Sequence, residues 1–215
     1  MADQPSAWQG TLDRADLVES RVPADPLALF ADWYDHARNS GMVEPTAMTL
    51  ATVDADGNPS ARIVLLKGFD IDGFRFYTNY DSRKGRALAA HPRAALVFWW
   101  ERCERQVRVT GRVRKLDADT SNAYFENRSR GSRLGAHASP QSRVLAGRDE
   151  LEQRLAETEA RFAGRAVERP EHWGGYALVP DAIEFWQARR SRLHDRLQYV
   201  RDAHDDHWQI ERLAP

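Results

Sequence analysis

Residues 47–79, AMTLATVDADGNPSARIVLLKGFDIDGFRFYTN, decide the fold class. Three runs rich in apolar and β-branched residues, 47–53, 60–69 and 74–79, are separated by Asp54-Ala55-Asp56-Gly57-Asn58-Pro59 and Asp70-Ile71-Asp72-Gly73. Asp, Asn and Gly tolerate left-handed backbone and Pro presets φ, so segments of this composition reverse a chain between strands. The stretch predicts an antiparallel meander.

Working outward, a helix is expected over 82–90, stopped by His91-Pro92, followed by strands at 94–100 and 105–116. Residues 117–128 and 147–162 read as helices. In the second, Leu151, Leu155 and Phe162 turn inward, and Glu150/Arg154 and Glu157/Arg161 pair outside. Strands return at 173–179, 183–187, 192–200 and 208–213. Upstream, Asp25 caps a helix with Pro26 in its first turn, and Leu27, Phe30, Tyr34 and Ala37 share one face until Gly41. Residues 1–22 are polar without period and read as a mobile arm, leaving 23–215 as a single unit. Six to eight antiparallel strands with a few helices predict a mainly β (α+β) fold, a small β-barrel decorated by helices.

Composition narrows the function classes. The chain of 215 residues carries 31 Lys and Arg against 32 Asp and Glu, too balanced for the basic footprint of a nucleic-acid binder. Its 42% hydrophobic share, with seven Trp and eight Phe, supports a real core. One cysteine, Cys103, cannot form an internal disulfide, so a reducing, cytoplasmic setting is expected. The start of the chain does not read as a signal peptide. The longest apolar run, 94–100, falls far short of the roughly 20 residues a membrane helix needs. Glycine fingerprints for nucleotides, a nucleophile elbow and paired-histidine metal motifs are absent, so no metal is expected. Of the 31 cations only Lys67, Lys84 and Lys115 are lysines.

Four constellations can carry chemistry. Ser82-Arg83-Lys84-Gly85 stands where a strand hands over to a helix: a Ser cap, free backbone N–H groups and two cations suit a phosphate, although an ordinary capped helix has the same look. Tyr124, Arg128 and Ser132 are spaced i, i+4, i+8, which stacks a phenol, a guanidinium and a hydroxyl on one face if helix or turn continues that far. Residues 127–148 around them hold five Arg and no acid, a second anion site or a solvated loop. In the run 192–197, period two puts Arg192, His194 and Arg196 on one face, opposite Leu193 and Leu197, beside Trp186 and Gln187. In 62–67, alternation puts Arg62 and Lys67 on opposite faces, so both reach one ligand only if the strand bulges or the ligand wraps an edge.

Taken together these stretches resemble the pyridoxamine (pyridoxine) 5′-phosphate oxidase family. The resemblance rests on PTAM (45–48), RIVLLK (62–67), FYTN (76–79), SRK (82–84), ERQV (104–107), QSR (141–143), WGGY (173–176), EFWQ (184–187), RLHDR (192–196) and the terminal ERLAP, and spans about 23–215. It implies a split β-barrel homodimer holding FMN at the subunit interface. The implied FMN contacts are Arg62, Ile63, Val64, Leu65, Leu66, Lys67, Tyr77, Thr78, Ser82, Arg83, Lys84, Gln106, Gln141, Ser142, Trp186 and Arg196. The implied substrate contacts are Lys67, Tyr124, Arg128, Ser132, Arg192, Leu193 and His194, with Arg192 and His194 as the catalytic pair. The implied reaction oxidises C4′ of pyridoxamine or pyridoxine 5′-phosphate to pyridoxal 5′-phosphate with O2 as acceptor, releasing hydrogen peroxide and, from the amine, ammonia. A related FMN oxidase of phenazine pathways, or a noncatalytic flavin or pyridoxal-phosphate binder, is the alternative.

Two departures stand out. Residues 1–22 lack the Arg/Tyr-rich pattern of a family lid, and Ala188-Arg189-Arg190 stands where glycines are frequent. The charge balance also hides a partition. Residues 13–56 hold nine acids against three Arg, whereas cations collect at 83–84, 128–148 and 189–196.

Overall fold

A computed structural model describes residues 16–201 and 207–215. Asp25 accepts from the Leu27 N–H at 2.9 Å and starts helix α1 (Pro26–Asn39) as its sequence predicts. Strands β1 (Ala47–Val53), β2 (Pro59–Leu65), β3 (Gly68–Asp70) and β4 (Gly73–Asn79) follow. Next come α2 (Arg83–Ala90), β5 (Arg93–Trp100) and β6 (Arg105–Lys115), then three helices, α3 (Ala118–Glu126), α4 (Arg130–Ala138) and α5 (Arg148–Arg161). The chain closes with β7 (Trp173–Gln187), β8 (Asp195–Arg201) and β9 (Trp208–Arg212). The strands form one antiparallel sheet in the order β2-β1-β5-β6-β7-β4-β3, with β8 on β7 and β9 on β8. This curled half-barrel with five helices matches the expected mainly β, split-barrel class. No helix among the described residues is long and apolar enough to cross a membrane.

Register sorts the residues into an inner and an outer face. Phe98, Val107, Phe185 and Leu197 pair across four strands and are completely buried. The neighbouring row, Trp99, Gln106, Trp186 and Arg196, pairs the same way and must point to the opposite face. Helix α1 fills the inner face. Phe30 packs edge-on to Phe69, Phe74 and Phe98 at 4.7, 4.9 and 5.1 Å, and Trp33 meets Phe185 at 5.2 Å. Its buried stripe is Leu29, Phe30, Trp33 and Ala37, so Leu27 and Tyr34, expected in the stripe, sit at its margin.

Several expectations change. The strand over 60–69 breaks into β2 and β3 because Gly68 takes φ +152°, and Leu66 and Lys67 donate instead to Thr46 O and Arg75 O. The strands at 173–179 and 183–187 are one: β6 pairs along both halves, and its register shift at Thr110/Gly111 lies opposite the segment that carries Pro180. A side chain at Gly111 would collide with the Val179 carbonyl. The helix over 117–128 ends at Glu126, and a second helix, α4, restarts from the Ser129 cap inside the stretch read as loop. The strand over 192–200 starts only at Asp195, because Ser191 and Arg192 are left-handed at φ 58° and 59°. The arm expected over 1–22 lies outside the described residues up to 15; its end is held, with Leu17 buried, its carbonyl accepting from Arg212 and its N–H donating to Asp195. Of the two pairs expected on α5, Glu150–Arg154 forms at 3.0 Å, while Glu157 accepts from Gln153.

Since Phe30 is fully buried among aromatic rings, Phe30→Ala is expected to lower the unfolding free energy by about 3–5 kcal/mol, measured by denaturant titration at fixed protein concentration.

Candidate functional site

The break between β2 and β3 settles how Arg62 and Lys67 meet. Because pairing stops at Leu65, the alternation that separated them no longer applies, and both line one cleft of about 560 Å³. Ile63, Val64 and Leu65 contribute the rest of that wall; Leu66, only 3% exposed, turns into the core. Arg62 folds along β1, donating to Leu50 O at 2.9 Å, Thr52 Oγ1 at 2.8 Å and Ser60 Oγ at 2.5 Å. Burial, and then Arg83, lowers its pKa.

Opposite stands the start of α2. Ser82 Oγ is fully buried, accepts from the Gly85 N–H and donates to Asn79 O, so this hydroxyl serves the cap. Gly85 is required, since a Cβ would collide with the Tyr80 carbonyl. Lys84 Nζ reaches Thr78 Oγ1 at 3.1 Å and Gln141 Oε1 at 3.0 Å. With only neutral oxygens among these partners, burial and the nearby Arg62 pull the Lys84 ammonium down to about 8. Arg83 and Ser142 are exposed and outside the cleft lining, Ser142 with φ 72°.

The far wall is aromatic. Tyr77 stacks on Tyr124 at 3.7 Å and 8°, and both lie nearly parallel to Trp173. The Arg128 guanidinium covers Trp173 at 4.5 Å, which explains how an Arg is kept half-buried without an acid. Its Nη1 is buried with no hydrogen-bond partner, and burial lowers its pKa. The expected column of Tyr124, Arg128 and Ser132 does not stand on one helix, since α3 has ended before Arg128 and Ser132 lies in the first turn of α4. All three nevertheless line the cleft. Trp173, Asn79, Gly135, Ala136 and Ser139 line it as well and were not expected. The Ser129 cap with Leu134 and Ala138 one turn apart is the signal that would have found α4.

No Asp or Glu lines this cleft, whereas Arg62, Lys67, Lys84 and Arg128 do. An orphaned guanidinium donor and a depressed ammonium are the features of a surface that takes anions. Such a lining fits a phosphate-bearing ring compound.

The remaining expected residues lie elsewhere. Gln106, Trp186 and Arg196 share the outer row, with Trp186 at 6.0 Å from Trp99 and 4.6 Å from His194. Arg196 binds Glu184 at 2.9 Å and the Ala214 carbonyl at 2.7 Å. Arg192 sits in a tight 3₁₀ turn, Leu193 is 70% exposed, and His194 has its pKa lowered by burial and then by Arg192. The left-handed residues 191 and 192 remove the period-two row expected for Arg192, His194 and Arg196. None of Gln106, Trp186, Arg192, Leu193, His194 and Arg196 lines the cleft, so one chain presents the expected residues as two separate clusters.

A family profile described as pyridoxamine 5′-phosphate oxidase matches residues 36–162, and one described as pyridoxine 5′-phosphate oxidase C-terminal dimerisation region matches 173–215. The chain is 59% identical over 204 residues to the pyridoxine/pyridoxamine 5′-phosphate oxidase of Pseudomonas paraeruginosa, covering 94% of each. It is 60% identical over 199 residues to that of Cupriavidus pinatubonensis, covering 93% of each. Among solved structures, PhzG from Burkholderia lata in complex with tetrahydrophenazine-1-carboxylic acid superposes with a TM-score of 0.88 at 32% identity, over 96% of this chain and 100% of that one. A pyridoxamine 5′-phosphate oxidase-related, FMN-binding protein of Nostoc punctiforme shares the fold, with a TM-score of 0.70 at 19% identity over 90% and 100%.

Lys84 gives a pH test. An anion favours the ammonium, so affinity is full below the free-state value of about 8 and falls as pH rises through it. Titration of inorganic sulfate, a phosphate analogue of fixed charge, into the protein by calorimetry is expected to show this decline, and Lys84→Met is expected to flatten it.

Proposed function

The chain belongs to the pyridoxamine 5′-phosphate oxidase family, and from that premise we propose an FMN-dependent oxidoreductase that converts pyridoxamine 5′-phosphate and pyridoxine 5′-phosphate to pyridoxal 5′-phosphate. O2 is the electron acceptor, and hydrogen peroxide is released, with ammonia from the amine. The observation that carries the reading is the cleft lined by four cations, an aromatic stack and no carboxylate. Lys84, Arg62 and Gln141, with Arg83 at the α2 start, are the residues to hold the FMN phosphate. Tyr124, Arg128 and Ser132 hold the substrate phosphate, and Lys67 lies on the same cleft wall as Arg62. When bound, FMN supplies the hydride acceptor for C4′ and passes the electrons to O2. The protein's share is positioning: two phosphate anchors fix the substrate ring against the flavin and exclude unproductive poses.

Arg192 and His194 orient the ring oxygen and C4′ substituent of the substrate. Because their cluster does not share a cavity with the cleft in one chain, the reading requires a homodimer in which one protomer's outer row faces its partner's cleft. The match of 173–215 to a dimerisation region supports this arrangement, as does Ile63, 63% exposed on the cleft wall.

Similarity to PhzG favours a second reading, oxidation of a tricyclic carboxylic acid. The polar groups of Tyr124, Arg128 and Ser132 on the cleft wall instead suit a phosphate. Purified protein is expected to carry a yellow flavin band that bleaches under anaerobic conditions on adding pyridoxamine 5′-phosphate. A flavin that bleaches only with the tricyclic acid, or with neither compound, would overturn the reading.

Two variants extend the test. Arg128→Ala removes a charged anchor and is expected to raise KM for pyridoxamine 5′-phosphate by about tenfold to a hundredfold while FMN stays bound. Mixed dimers of Lys84→Ala and Arg196→Ala subunits are expected to regain activity that neither parent has, since one of their two sites is then built wholly from unaltered residues.

A further inference from the structure

The loop between β7 and β8 fixes the protonation of a histidine. The backbone N–H of Arg189 points at the imidazole of His194, with N to Nδ1 at 3.1 Å. A peptide N–H can only donate, so Nδ1 must be the accepting, unprotonated nitrogen. The proton of the neutral ring then sits on Nε2. Burial and the neighbouring Arg192 favour that neutral ring. Protonating it would set an N–H on Nδ1 against the Arg189 N–H and break this bond.

The loop is held in an unfavourable shape. Ser191 and Arg192 are consecutive non-glycine residues in the left-handed region, which persists only where surrounding contacts over-determine it. The Arg189 side chain supplies such contacts: Nε to Asp195 Oδ2 at 2.6 Å, and Nη2 to Asp16 Oδ1 at 3.2 Å. Asp195 also takes the Leu17 N–H at 3.3 Å and Arg212 Nη1 at 3.0 Å. Arg189 therefore grips His194 from both sides, through its own N–H and through the residue that follows the histidine. A glycine at this position would keep the first grip and lose the second.

We infer that Arg189 is a positioning residue that locks His194 in the Nε2–H tautomer, making His194 a fixed hydrogen-bond donor to the substrate rather than a proton acceptor. The tautomer stands on geometry alone; that His194 meets substrate rests on the function proposed above. With Nε2 already protonated and Nδ1 occupied, the ring has no free lone pair with which to take a proton from the substrate. Hydride loss from C4′ then proceeds with His194 keeping its proton, while the proton that the substrate's C4′ hydroxyl or amine gives up passes to water.

The test uses the full-length protein labelled with 15N-histidine. The seven histidines give seven ring patterns, and the one missing from His194→Gln is that of His194. Long-range proton–nitrogen correlation at neutral pH is expected to show an unprotonated Nδ1 and a protonated Nε2. A protonated Nδ1, or averaging between the two forms, overturns the lock. Arg189→Ala is expected to bring on that averaging and Arg189→Lys, still able to pair with Asp195, to suppress it; an unchanged pattern in Arg189→Ala removes Arg189 from the role. In turnover, His194→Gln, whose amide N–H donates from near the Nε2 position, is expected to run about tenfold faster than His194→Leu. Equal loss in both refutes the donor role. A wild-type protein that oxidises neither phosphate would sink the proposed function while leaving the tautomer measurement readable.

Discussion

Everything in this molecule leans on β7, a strand of fifteen residues that pairs with β6 from Tyr176 to Gln187 across a single register shift. On its other edge the strand is shared: its first half pairs with β4 and its second with β8. One end therefore delivers Trp173 to the cleft beside Tyr77 and Tyr124, and the other delivers Trp186 to His194. The two clusters are fixed relative to each other by one backbone. Pro180, which cannot donate to a ladder, is tolerated because it lies at the register shift opposite Gly111.

Charge is the second constraint. A net charge of −1 hides a cleft that gathers four cations and no acid. Holding these groups together without anions is unfavourable, and the side chains show how it is done. Arg62 leans on carbonyl and hydroxyl oxygens, Arg128 on the face of Trp173, and Lys84 yields part of its affinity for a proton. On the outer face the opposite solution appears: Glu184, nearly buried, bridges Arg108 and Arg196. The cleft therefore holds cations that no carboxylate in its lining compensates, whereas Arg196 of the outer row is neutralised within the chain.

Much of this was legible in sequence. Turn chemistry at Asp54–Pro59 and Asp70–Gly73, and the caps at Asp25 and Ser82, act within a few residues and are met in the structure. Helix α4 was missed because its capping residue, Ser129, follows the end of α3 so closely that two helices read as one helix and a loop. The row at Arg192, His194 and Arg196 failed for a different reason. Alternation assumes extended backbone, and Ser191 and Arg192 are left-handed under contacts from Asp195 and Arg189 that no window around residue 192 reveals as such.

The sequence by itself determined the antiparallel meander, the caps and the anion-seeking residue types, because each depends on backbone preferences and side-chain chemistry that neighbouring residues settle. Only the tertiary structure decided that Arg62 and Lys67 share a wall, that β7 is one strand, and that His194 carries its proton on Nε2. Those facts turn on where pairing stops, which partner strand runs alongside, and which N–H of a tight turn faces a ring nitrogen, and each is set by contacts between residues far apart in the chain or by a strained turn that such contacts hold.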